Sequence, residues 1–77
     1  MLKPRISSML ARKREEGVKI TQTEIAKTLG VTRQQVNWWV TGKRTPRLET
    51  AFELADIIGC RVDDLFEYTK KRIGDGL

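Results

Sequence analysis

The sequence predicts an all-α fold, a compact domain of five helices whose second and third members form a helix-turn-helix. Three observations predict it. Apolar residues recur at helical spacing along the chain, with no strand-like alternation and no internal repeat. Glycines at 17, 30, 42 and 59 close four of the periodic segments. Two segments open on reciprocal capping pairs, Thr21 with Glu24 and Thr32 with Gln35, each three residues apart.

The first helix carries the stripe Ile6, Met9, Leu10 and Lys13 behind Pro4, a residue tolerated in a helix's first turn, and ends at Gly17. "GVKI" connects it to the second helix, in which Thr21 and Glu24 form the box and Ile25, Ala26 and Leu29 the apolar side. Gly30 stops this helix with positive φ. After "GVT", Thr32 caps the third helix, with Gln35 as box partner and Thr41-Gly42 at its end. A connection this tight, opened by glycine, sets two helices at a steep angle. In the "KRTPR" connector, Thr45 caps a fourth helix whose first residue is Pro46 and whose apolar residues are Leu48, Ala51, Phe52, Leu54, Ala55 and Ile58. "VDDLFEY" is a short fifth helix with Asp63 and Asp64 at its positive end and Val62, Leu65 and Phe66 facing inward. The domain spans 1–68, and the polar, glycine-rich 69–77 is a flexible tail.

Seventy-seven residues suffice for one small domain. Charged residues at 32% and hydrophobic ones at 39% fit a soluble globular domain better than a disordered polymer. No apolar run approaches the roughly 20 residues that cross a bilayer, and "MLKPRISSML" lacks the apolar stretch of a signal peptide, so the expectation is a cytoplasmic protein with no membrane partner. Cys60 is the sole cysteine and there is no histidine, so the chain has neither an intramolecular disulfide nor an imidazole partner for thiol or metal chemistry; Cys60 is expected to be a small buried hydrophobe. The charge is uneven. Residues 1–47 hold 11 Lys and Arg against three acids, whereas 48–77 hold four against seven, a polarity that suits a basic face aimed at a polyanion.

The segment "VTRQQVNWWVTGKR" sharpens that expectation. With Val36 as zero, Val40 lies at about +40° and Trp39 at about −60°, which makes these three the buried stripe. Asn37 at about 100°, Thr41 at about 140°, Gln34 at about 160° and Trp38 at about 200° face away, with Arg33 at the helix start. Nothing on this face is acidic. Arg matches guanine O6 and N7, and Gln or Asn matches adenine N6 and N7, so Arg33, Gln34 and Asn37 are the groups that read base edges in a major groove. Trp38 on the same face suits a thymine methyl, the sugar backbone or a protein partner. Gln22, at the start of the second helix, suits a phosphate, and Thr41, Lys43 and Arg44 beyond the reading helix suit another.

Gln22, "EIA" at 24–26, "LGVT" at 29–32, Trp39, "GKRTP" at 42–46, "LADIIG" and "DDLF" together resemble the phage repressor and Cro (C1-type) family, or XRE-type regulators, over residues 20–66. That resemblance implies a lambda-repressor-like all-α DNA-binding fold that reads operator DNA, usually as a two-fold dimer. It maps base reading onto Arg33, Gln34, Asn37 and Trp38, and phosphate binding onto Gln22, Thr41, Lys43 and Arg44. The chain departs from the family pattern at Val40, where Glu is common, and at Asn37, where Ser is common. Arg47 and Arg61 stand where small capping residues are usual.

The function expected is therefore a sequence-specific DNA-binding transcriptional regulator, a repressor, with double-stranded operator DNA as partner. Its third helix lies in the major groove, and a homodimer, formed in solution or only on DNA, reads half-sites roughly 34 Å apart. Helix five around Phe66 and Tyr68 is the expected dimer surface. A protein-interaction module of antitoxin or bridging-adaptor type, anchored by Trp38, is the alternative. An enzyme is not expected, and neither a catalytic residue, a metal site nor a cofactor is assigned: the chain has no histidine, no phosphate-cradling glycine loop and no cysteine pair.

Overall fold

The computed structural model describes residues 2–69. Their order is β1 (Leu2–Pro4), α1 (Ile6–Glu15), α2 (Gln22–Leu29), α3 (Arg33–Thr41), α4 (Leu48–Ile58), α5 (Val62–Leu65) and β2 (Phe66–Tyr68). The five expected helices are there and the domain is mostly helical. Ile6 and Met9 from α1, Ile25 from α2, Val36 and Trp39 from α3, Leu54 and Ile58 from α4, and Leu65 from α5 share one core. Each such side chain withdraws enough apolar surface to contribute about 1.5–3 kcal/mol.

Helix starts follow the capping chemistry in part. Thr32 Oγ1 accepts from Gln35 N–H at 3.1 Å and Gln35 Oε1 accepts from Thr32 N–H at 3.1 Å, so the box on α3 is complete. On α2, Thr21 Oγ1 accepts from Glu24 N–H at 3.2 Å, but its hydroxyl donates to Glu24 Oε1 at 3.3 Å, so the carboxylate meets the side chain of Thr21 instead of its amide. At the start of α5, Arg61 N–H donates to Asp64 Oδ2 at 3.0 Å.

Four expectations are corrected. Pro4 does not open a helix: it ends β1, and α1 starts at Ile6. The fifth helix stops after Leu65 because Phe66 turns to extended backbone, and Phe-Glu-Tyr, with its two strand-favouring aromatics, pairs antiparallel with β1 in the register Leu2↔Tyr68, Lys3↔Glu67, Pro4↔Phe66. Arg5 N–H donates to Leu65 O at 2.7 Å, and the exposed Arg5–Glu67 pair at 3.7 Å flanks the ribbon. The fourth helix starts at Leu48, not Pro46; Arg47 stays extended at its N-cap and Pro46 is buried. Finally, Leu48 and Phe52 are not core residues: they stand 73% and 60% exposed, while Leu54 on the same helix is fully buried. The expected tail, 69–77, lies outside the described residues apart from Thr69.

Candidate nucleic-acid interface

The turn between α2 and α3 is set by backbone geometry. Gly30 sits at φ 69°, a left-handed conformation that a Cβ would strain, and Val31 N–H donates to Ala26 O at 3.0 Å, folding the chain back toward α2. Thr32 then starts α3 at once, so α2 and α3 pack directly on each other.

α3 buries one side and offers the other. Val36 and Trp39 (8% exposed) enter the core, with Val40 half-buried against it. Gln34, Asn37 and Thr41 are exposed on the opposite side, and Arg33 is exposed at the helix start. Gln22, Arg33, Gln34 and Asn37 line one groove of about 330 Å³. Asn37 Nδ2 donates to Gln22 Oε1 across a long 3.5 Å bond. This occupies the Gln22 carbonyl and leaves its amide donors for an external acceptor, while Asn37 keeps one N–H and its carbonyl. A base-facing residue and a residue at the start of α2 are thus tied together.

Trp38 is half-buried, not fully exposed as the helical positions implied. The cover is cationic. The Arg44 guanidinium carbon lies 4.6 Å from the indole centroid and Lys43 Nζ lies 5.8 Å from it, both within cation–π range. Arg44 N–H also donates to Trp38 O at 3.2 Å. The Thr41 hydroxyl donates to Asn37 O at 3.0 Å, with Trp38 O 3.4 Å away, so it must rotate off the helix to donate to an outside anion.

Sequence reasoning missed what supports this exit turn. Gly42 closes α3 at φ 83°, and a Cβ built there would come 3.1 Å from Pro4 Cγ and 3.3 Å from Pro4 Cδ. The terminal ribbon therefore packs against the end of α3. Gly42→Ala combines a disfavoured φ with crowding of the proline and is expected to cost about 1–3 kcal/mol in urea melts. Adding Pro4→Ala should recover the crowding part alone; full recovery would mean that φ is irrelevant.

The interface is electropositive. Ion pairs among the described residues join Arg5 to Glu67, Lys13 to Glu16 and Arg61 to Asp63, and none involves Arg33, Lys43 or Arg44. Cys60 is half-buried against the core; burial pushes its thiol up from its ordinary value, the Asp64 carboxylate adds to this and Lys13 opposes it. Its thiolate fraction is correspondingly small, which suits an inert packing residue. Among the described residues, no group of three His, Cys, Asp or Glu side chains is placed to hold a metal ion. No helix there is long and apolar enough to cross a membrane.

Known proteins show the same segment. A helix-turn-helix family model matches residues 10–65. An uncharacterized HTH-type transcriptional regulator of Methanocaldococcus jannaschii is 41% identical over 49 residues, 64% of this chain and 74% of the relative. Another from Archaeoglobus fulgidus is 34% identical over 54 residues, 70% of this chain and 77% of that protein.

Proposed function

Because this chain belongs to the XRE-type helix-turn-helix family of DNA-binding transcriptional regulators, we propose that it is a cytoplasmic repressor that reads operator DNA with α3 in the major groove. The observation that carries this reading is the acid-free outer face of α3, where Arg33, Gln34 and Asn37 border one groove with Gln22. Arg33 pairs with a guanine edge, and Gln34 and Asn37 with adenine edges. Gln22, Thr41, Lys43 and Arg44 hold the flanking phosphates and fix the register. Repression then follows from occupancy of promoter DNA.

A homodimer, assembled in solution or on the operator, places two such helices one turn apart. Tyr68, 65% exposed beside its cross-strand partner Leu2, supplies the aromatic of that surface, whereas Phe66 packs against the core. Selection from random duplexes at a stated salt concentration tests the proposal: a symmetric consensus supports dimeric reading, and no enrichment removes it. Arg33→Ala is expected to relax preference at one base position per half-site, costing about 1–3 kcal/mol; an unchanged consensus refutes its assignment.

Exposed Leu48 and Phe52 favour a second reading, an antitoxin-like module that docks a protein partner through α4. Phe52→Glu separates the two, since it should abolish partner docking and leave duplex affinity intact.

A further inference from the structure

We infer that Trp38 is a positioning residue, a platform that holds Arg44 and Lys43 in place for the DNA backbone, and not itself a reader of bases. The inference rests on the reading of α3 as a duplex-binding helix and assigns that helix's most unusual side chain a different task from its neighbours.

Arg44 is tethered at both ends. Its backbone N–H is bonded to Trp38 O at 3.2 Å, and its guanidinium lies 4.6 Å from the Trp38 ring centroid. The residue that turns back onto α3 is thereby fixed in main chain and side chain by one partner. Stacking uses the flat π-face of a guanidinium and leaves its N–H groups, which lie in the plane, free to grip a phosphate. The two interactions therefore add instead of competing. A free arginine must surrender its rotamer freedom on meeting a phosphate, whereas a stacked one has already done so. Lys43, 5.8 Å from the same ring, is held more loosely as a second point charge. With cations over its ring, the indole is half-buried and has less surface to offer a base edge.

The probes are a 20-base-pair duplex of fixed arbitrary sequence, titrated with salt, and the free protein studied by nuclear magnetic resonance. In the free protein, the Arg44 side-chain protons should be shifted upfield by the indole ring current; unshifted resonances overturn the inference without any variant. Trp38→Leu should weaken duplex binding about three- to thirtyfold, the span of a cation–π contact. It should also flatten the salt slope by about one, as expected when one phosphate contact is lost. Trp38→Phe, which keeps a π-face, should restore most of the affinity and the slope. Arg44→Ala should match Trp38→Leu, and the double variant should be little worse than Arg44→Ala alone. Losses that multiply in the double variant overturn the inference. So does a Trp38→Leu protein with the wild-type slope but an altered base preference in duplex selection, which would make Trp38 a reader. In both cases duplex binding itself stands. Failure of the wild-type protein to bind any duplex at low salt overturns the DNA reading, and this inference with it.

Discussion

Leu54→Ala is expected to destabilise the domain by about 2–5 kcal/mol, whereas Phe52→Ala, two residues away on the same helix, should stay within about 0.5 kcal/mol. Leu54 is fully buried on α4, which packs against α1, α2 and α5, so truncation removes its apolar contacts and leaves a cavity that neighbouring side chains fill only partly. Phe52 keeps 60% of its surface in water and has little burial to lose. A domain of this length holds on the order of 4–12 kcal/mol in all, so Leu54→Ala removes a large share of it. Urea midpoints of the two variants check this, and equal shifts would mean that α4 is rotated from the orientation described. At temperatures where Leu54→Ala remains folded, its duplex affinity should equal that of the wild type, because Leu54 lies on none of the elements that carry the interface.

α4 also shows what the sequence does and does not disclose. The helix-wheel argument that sets Trp38 opposite the core sets Phe52 about 160° and Leu48 about 120° from Leu54. Counting apolar residues on α4 without placing them on a wheel mistakes two exposed side chains for core. Capping residues and left-handed glycines act locally, and the positions of α2 and α3 were legible from them, while the inward face of α3 was legible from the angular positions of Val36, Trp39 and Val40. The β1–β2 ribbon was not. Its partners are some sixty residues apart, each strand is three residues long, and pairing depends on α1 and α5 bringing the ends together. The cover over Trp38 has a similar origin. Arg44 reaches the indole only because the chain reverses at Gly42, so angles along α3 alone cannot reveal it. A left-handed glycine followed at once by Lys and Arg, beneath a tryptophan one turn back, is the signal that would have found the contact.

Duplex affinity is expected to fall about 150-fold between 50 and 200 mM monovalent salt if two protomers bind together, the loss that follows from about four neutralised phosphates. Lys43 and Arg44, the two cations assigned to phosphates, have no carboxylate partner within ion-pair distance among the described residues, so each can meet a phosphate without first giving up an internal ion pair. Two such cations per protomer give a logarithmic slope of about −1.8 for one copy and about −3.6 for two. The slope therefore reports both the electrostatic mechanism and the number of copies bound. Gln22 and Thr41 are neutral and release no counterion, so Gln22→Ala should weaken binding with little change of slope, whereas Lys43→Ala should flatten it by about one. A slope near zero in the wild type would leave the unpaired cations of the exit turn without a role at the phosphates. A slope near about −1.8 that persists on a symmetric selected site would assign the reading to a single copy and remove the dimer from the mechanism.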